Sequence, residues 1–299
     1  MTLLNNLQSM PVAVRYIHSY LAAEGQVDED RFAAALAPAT LSQDGKAGSD
    51  ILTASLTTCE EIGLVRRTGS TFELHPDLLD VQRADGDAQT FRATIRQLVL
   101  GRAVNDDLWG SDTGMRDFTR AICWYLTLDA VRAPGQYDDA EDVPGASQLQ
   151  SVTLAEDDRV FRNENRWPQF GRWAPFLGLA TLGARRGKIW LQPDPTVAVR
   201  DGVRSLFRQR SEWPIRAVIG ALATESPVLD GGRYRTAVEQ RMTSEARGSD
   251  TISPSLALAL TRLRLERVIA IHSRPDADTM VWTTVDGQEV RVSHLEITG

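Results

Sequence analysis

The side chains with the most to offer chemically lie between Arg159 and Arg210, and the chemistry open to them is holding anions. Arg166, Gln169 and Arg172 recur every three residues; Arg185, Arg186 and Lys188 crowd a glycine-bounded turn. Arg200, Arg204 and Arg208 recur at i, i+4 and i+8, the spacing that lines one face of a helix. Guanidinium groups suit phosphate oxygens because their planar fork of donors meets two oxygens at once. From Arg159 to Arg216 there are twelve bases and four acids, in a chain of net charge −7, so the basic character is strongly localised.

No second chemistry competes with this one in the sequence. Gly183 and Gly231-Gly232 lack the GxGxxG or GxxxxGK setting of a phosphate-cradling loop. Pro193-Asp194 resembles the start of a nuclease motif, but no acidic-x-Lys follows it, and Asp194 is more simply a turn residue closing a strand. The histidines, His18, His75, His272 and His294, are scattered, so no nucleophile–base pair or metal site can be assembled from them. His18 falls on the apolar side of a helix and is expected to be a packed core residue. The chain is therefore expected to be non-enzymatic, with no cofactor and no metal.

The elements that must position the basic residues form a helix and a hairpin. Trp167, Phe170, Trp173 and Leu177 follow the spacing of one buried helical face, and Pro168 fits a first helical turn. Pro175 would kink that helix near its end, and Gly178 closes it. Leu179–Thr181 and Lys188–Leu191 then read as short strands around Gly183-Ala184-Arg185-Arg186-Gly187. A helix, a tight exit and a basic-tipped hairpin resemble a winged helix. In that fold the third helix meets the major groove and arginines of the wing hold phosphates.

The same shape occurs twice more. Near the start, Ser49 or Asp50 is the expected cap of a helix burying Leu52, Leu56, Cys59 and Ile62, followed by Leu64–Arg66 and Thr71–Leu74 around Thr68-Gly69-Ser70. Near the end, Ser253 caps and Pro254 starts a helix burying Leu256, Leu260 and Leu263, and Val268–His272 is expected to pair with Thr279–Thr283. Glu289–Leu295 reads as a closing strand. Further helices are expected at Pro11–Ala23, Asp28–Leu36, Phe91–Ala103, Arg116–Val131, Val197–Arg210, Trp213–Ala223 and Asp230–Met242. In Arg116–Val131 the inward residues are Phe118, Ile122, Tyr125 and Leu126, with Trp124 at the outer edge. The fold class is mainly α with small β-hairpins (α+β). Residues 1–80 form a first module, 81–110 a helical linker, 111–210 a basic second module and 211–299 a third.

Composition agrees with a globular, soluble, cytoplasmic protein. The 299 residues are 42% hydrophobic, enough for two to three cores. The N-terminal stretch has neither a basic leader nor a continuous apolar run, so no signal peptide or membrane span is expected. Two cysteines, Cys59 and Cys123, both inside expected helices, point to a reducing compartment. Thirty-one arginines against two lysines look like a base-composition bias, though arginine patches also suit phosphates. Between Tyr137 and Asp158 lie seven acids and no base, read as a solvated loop; the sharper alternative is a phosphate mimic over the basic module.

Three stretches, LLNNLQSMPVAVRYIHSYLA, FGRWAPFLGLATLG and LQPDPTVAVRDGV, are similar to the DpdG component of bacterial Dpd clusters. Those clusters insert 7-deazaguanine derivatives into DNA and act against unmodified foreign DNA. The resemblance carries over no individual functional position. It implies an accessory subunit of a DNA modification and restriction machine, with DNA and larger protein subunits as partners. The expected function is a DNA-binding adaptor, with Arg166, Gln169 and Arg172 on the helix and Arg185, Arg186 and Lys188 on the wing. The first module argues otherwise for itself, since Glu60 and Glu61 end its third helix; acidic winged helices commonly bind proteins. The alternatives are a protein-binding scaffold of the kind that binds kleisin chains, and a transcription regulator.

Overall fold

Pro11 opens the first helix of the protein, α1 (Pro11–Glu24), whose Val14, Ile17, His18 and Leu21 are buried along one face. The computed structural model describes residues 3–38, 46–110, 114–140, 143–207, 211–243, 247–284 and 287–298. After α1 come β1 (Val27–Asp28) and α2 (Glu29–Leu36), whose N-cap Asp28 accepts the Arg31 amide at 2.9 Å. Then α3 (Lys46–Glu61) leads to β2 (Val65–Thr68) and β3 (Thr71–Leu74). The helix α3 starts a turn earlier than expected, so Ser49 and Asp50 lie inside it rather than capping it. The three strands form one antiparallel sheet in the order β1-β3-β2, with Val65 opposite Leu74 and Val27 opposite Phe72.

Residues 81–110 hold α4 (Asp80–Arg83), α5 (Ala88–Val99) and α6 (Arg102–Asn105), so the expected linking helix is two helices broken at Gly101. The break has a side-chain lock: Asn105 donates to the Val99 and Gly101 carbonyls. Far from being a solvated connector, α5 buries Phe91, Ile95, Arg96 and Val99. The middle region follows with α7 (Gly114–Thr127), α8 (Ala146–Thr153), a short 3-10 turn at Glu156–Asp158, α9 (Arg166–Phe176), β4 (Ala180–Arg185), β5 (Lys188–Pro193) and α10 (Thr196–Leu206).

Two expectations for this region need correcting. The acidic stretch is not simply a loop, because α8 lies within it and buries Ala146 and Gln150; Gln150 Oε1 accepts the Val160 and Phe161 amides. Asp158, at its end, pairs with Arg241. Trp124 is not an outer edge but fully buried, donating to Thr153 Oγ1 at 3.0 Å. A helix period reads as one-sided only if one side meets protein, and α7 meets it on both. Tyr125 packs against Trp167 and Phe170, while α12 (Arg233–Glu239) and α13 (Pro254–Leu265) cover the other side.

The last region begins with β6 (Glu212–Pro214) and α11 (Ile215–Glu225), ahead of α12 and α13, and ends with β7 (Ile269–His272), β8 (Met280–Thr283), β9 (Glu289–Val292) and β10 (His294–Ile297). Ser253 caps α13 and Pro254 occupies its first turn, as expected. The hairpin does not pair as expected. β7 pairs with β10, which lies between β6 and β7, whereas β8 pairs with β9. The stretch read as one closing strand is thus split at Ser293, whose hydroxyl and amide both donate to the His272 carbonyl.

Three long helices, α3, α9 and α13, each followed directly by a strand, end identically. After α3, Gly63 N–H bonds the Glu60 carbonyl and Leu64 N–H reaches back to Cys59. After α9, Gly178 bonds Pro175 and Leu179 bonds Ala174; after α13, Arg267 bonds Arg264 and Val268 bonds Leu263. This pair of bonds satisfies the orphan carbonyls of a helix end and needs a left-handed residue at its centre. The φ values are +72°, +76° and +59°. Two of the three centres are glycine; the third is Arg267, where a Cβ in this conformation costs about 1–2 kcal/mol.

A single continuous apolar core runs through all regions, stitched by buried ion pairs. Arg96, 2% exposed, donates to the Asp201 carboxylate of α10 and to the Leu177 carbonyl at 2.9 Å, and Arg92 shares the same carboxylate. Arg262 of α13 pairs with Asp194, whose other oxygen accepts the Thr196 amide at 3.1 Å. Asp194 is accordingly a turn residue.

Candidate nucleic-acid interface

In the middle region, β4 and β5 form a two-stranded ladder with Arg185 opposite Lys188, Ala184 opposite Ile189 and Leu182 opposite Leu191. The turn is shorter than the five residues expected. Only Arg186 and Gly187 lie outside the ladder, with φ of +47° and +80°, the left-handed pair that a two-residue hairpin turn requires. Because side chains alternate across a strand, the hairpin has two unlike faces. One carries Arg185, Lys188 and Trp190, with the Arg185 guanidinium over the Trp190 ring at 4.9 Å from its centroid. The other carries Leu182, Ala184 and Ile189, all exposed, with Ile189 at 70%.

What fixes the hairpin is its root. Gly135 lies against the Trp190 ring, so close that a Cβ there would fall 2.1 Å from it. The Gly135 carbonyl accepts the Leu191 amide, and the Gln136 side chain donates to the Ile189 carbonyl. Lys188 and Arg186 at the tip are exposed, and Lys188 makes no ion pair among the described residues.

The helix half of the site is arranged differently from the sequence expectation. Gln169 is fully buried, and its amide donates to the Asn6 and Ser9 carbonyls. Arg172 donates to the Leu7 carbonyl at 2.9 Å and to Gln169 Oε1 at 2.8 Å, and the Trp173 indole donates to Ser9. The N-terminal segment, anchored by buried Leu3 and Leu4, therefore lies across α9. Arg166 is held by Asp117 and the Val160 carbonyl, both at 2.9 Å. Base readout needs donors and acceptors presented to the groove edge. Those of Gln169 are spent inside the protein; of the residues α9 turns outward, Pro168, Gly171 and Pro175 carry no side-chain donor or acceptor, and the exposed Arg172 is bonded to Leu7 and Gln169.

On α10, Arg200 pairs with Glu266, while Arg204, one turn on, is exposed and has no hydrogen bond or ion pair among the described residues. Arg208 lies outside the described residues. The structure thus keeps Arg185, Arg186 and Lys188 together at the hairpin end, whereas Arg166, Gln169 and Arg172 of α9 are engaged within the protein, Arg172 at the edge of the groove beside the hairpin. Two further exposed arginines, Arg264 and Arg267, stand at the end of α13, and Arg267 occupies at its helix exit the place that Gly63 and Gly178 occupy at theirs.

His18 is buried with Nε2 2.8 Å from the Gln82 carbonyl and its ring against Phe91; burial pushes its pKa below the ordinary histidine value. Cys59 and Cys123 are fully buried, and burial drives both thiols far up. No group of three or more metal-ligating side chains occurs among the described residues.

The fold and the site define an α+β chain of helix-and-hairpin regions, fused through one core, that presents a basic hairpin and carries its would-be reading helix inside. The DpdG-like family matches residues 1–277, and the chain belongs to that family. Membership makes it a component of the Dpd type, the kind of protein that works within a multi-subunit cluster. Neither a curated protein nor a solved structure matches the chain. No helix among the described residues is long and apolar enough to cross a membrane.

Proposed function

We propose that this protein is a non-catalytic adaptor subunit of a DNA-modification or phage-defence complex, holding DNA by its phosphates without reading bases. The carrying observation is the contrast within the middle region: the basic hairpin end is exposed, whereas α9 is occupied by the N-terminal segment. Phosphate contacts give affinity and orientation but no sequence information. The reading of the regions as winged helices is supported best in the first, by its order of helix, strand, helix, helix and hairpin and by its β1-β3-β2 sheet. The placement of His18, Cys59, Cys123 and Asp194 in packing or turn roles supports the non-catalytic part.

The test is fluorescence anisotropy of a random-sequence duplex at two salt concentrations, comparing the full chain with Arg185→Ala/Arg186→Ala/Lys188→Ala. The variant is expected to bind at least about tenfold more weakly at low salt, and its log–log salt slope to fall by about one per lost phosphate contact. Equal binding by the two proteins would remove the hairpin from the interface.

A second reading concerns the other hairpin face. Leu182 and Ile189, with Trp167, Pro168, Gly171 and Arg172, line a mainly apolar groove of about 220 Å³ between α9 and the hairpin. An apolar groove beside a basic tip fits an adaptor that docks a partner subunit on one face and DNA on the other. Leu182→Ser/Ile189→Ser is expected to abolish co-purification with a co-expressed cluster protein while leaving DNA anisotropy intact. Loss of both together would show only a damaged hairpin.

A further inference from the structure

Two of the exposed basic residues that the proposed hairpin contact does not use lie together. Arg264 and Arg267 line one open depression at the end of α13, together with Ile269, Ala270, Ile271 and Thr298. Arg204 stands one turn beyond Arg200 on the same face of α10, and Arg200 pairs with Glu266 at that helix exit. Asp194 pairs with Arg262 and Arg200 with Glu266, so α10 and α13 advance side by side in the same direction, and the next turn of α10 carries Arg204 past the α13 end. The chain leaving α10 returns to that rim, where the Ser211 carbonyl accepts the Ile297 amide, next to Thr298.

Two features mark these three arginines. Most arginines of this protein are committed: Arg66, Arg92, Arg96, Arg166, Arg216 and Arg235, among others, each hold a carboxylate. Arg204, Arg264 and Arg267 are all exposed and their guanidinium groups have no hydrogen bond or ion pair among the described residues; Arg83, Arg132 and Arg291 are in the same state, but none of them lines this depression. The nearby acid Glu266 is engaged by Arg200. Arg267 also sits in a left-handed conformation, φ +59°, at a helix exit where two sister exits use glycine. A cation near a helix C-terminus is favoured by the helix dipole, and this accounts for a basic residue there. It does not account for an arginine at a left-handed position, since Arg262 and Arg264 already occupy the last turn.

We infer that Arg204, Arg264 and Arg267 form a second phosphate-binding surface, apart from the hairpin, that grips the backbone of the same nucleic acid. The inference rests on the DNA-holding reading above and adds a second point of attachment to it. Two separated contacts would fix the orientation of a duplex on the protein, which one hairpin tip cannot do. An adaptor that presents DNA to a larger enzyme needs that orientation.

The experiment uses the full chain and a fluorescein-labelled random-sequence duplex, with anisotropy read across a salt series. Arg204→Ala/Arg264→Ala/Arg267→Gly is compared with wild type, with the hairpin triple variant and with both combined. The patch variant is expected to lose about tenfold in affinity at low salt and to lower the log–log slope by about 2.7, three contacts at about 0.9 each. Wild-type affinity in the patch variant, with binding lost in the hairpin variant, would overturn the second surface and leave the hairpin reading standing. No binding by wild type at low salt would overturn both. Arg267→Gly alone guards against misfolding: relief of the strained φ should raise Tm by about 2 °C while binding weakens. A raised Tm with unchanged binding would reduce Arg267 to a structural curiosity. Poly-glutamate serves as the competing probe. Saturation of the patch by poly-glutamate with no response to DNA would assign it to an acidic protein and defeat the proposal.

Discussion

The helices α9 and α13 occupy corresponding places, end in the same hydrogen-bonded exit and are both drawn into the core, yet they dispose of their polar side chains in opposite ways. α9 spends Gln169 and Arg172 on the backbone of residues 6–9 and Arg166 on Asp117. α13 buries its length against α7 and α10 and sends Arg264 outward from its last turn, with Arg267 just beyond. In an isolated helix-and-hairpin domain the third helix has one face to the core and one to the world. Joining such regions through a common core covers α9 and α13 on a second side and leaves the α13 end and the β4–β5 hairpin exposed. Under the proposed function these would hold phosphates, contacts that carry no sequence information.

The exits give the sharpest way to break this comparison. At Gly178, φ is +76° and an added Cβ would meet Val197 at 2.8 Å and the Ala198 amide at 3.1 Å. At Gly63 φ is +72° and nothing lies within 4 Å. Gly178→Ala therefore adds overpacking to backbone strain and is expected to cost about 3 kcal/mol, against about 1 kcal/mol for Gly63→Ala, where strain acts alone. Chemical denaturation of the two variants measures the difference. Equal losses would mean that the α9 exit can give way, and that α9 is less firmly fixed than its bonds imply.

A smaller effect tests whether α9 is really closed. Gln169→Ala removes donors from the Ser9 and Asn6 carbonyls in a buried site, and a loss of about 1–2 kcal/mol in stability is expected. DNA affinity should stay within about twofold of wild type, because a buried amide cannot contribute phosphate or base contacts. A large drop in affinity with unchanged stability would return α9 to the DNA interface and undo the contrast with α13.

How far the sequence revealed this arrangement depended on the range of the interactions involved. Pro11, Asp28, Ser253 and Pro254 marked helix starts correctly because capping is decided within one turn. The apolar period of Trp167, Phe170 and Trp173 found the inner face of α9 for the same reason. The burial of Gln169 was invisible, since its acceptors lie some 160 residues away in the chain. Strand pairing at the end failed on similar grounds. β7 could take β8 or β10 by pattern alone, and the choice is settled by β6, which joins the far side of β10 and so completes a three-stranded sheet. Trp124 was misplaced because α7 is covered twice, once by its own region and once by α12 and α13.

The smallest expected effect concerns the first region, the one whose third helix ends in acids and which carries no proposed DNA contact. His18 is buried against Phe91 with Nδ1 unpartnered, and burial lowers its pKa. In the unfolded chain the ring takes up a proton as pH falls through about 6.5. In the folded chain it resists protonation until a lower pH. The unfolded state thus binds more protons in that window, so stability is full above pH 6.5 and declines as pH falls toward the folded pKa. Tm measured at pH 7.5 and pH 5.5 should show the decline, and His18→Gln, which keeps a hydrogen-bonding group toward Gln82 but cannot titrate, should flatten it. DNA binding through the hairpin and the α13 end should follow salt and not this titration, because their arginines stay charged throughout. If His18→Gln instead abolished a pH dependence of DNA affinity, the first region would be coupled to the DNA-holding surfaces, and the division of labour between the regions would have to be redrawn.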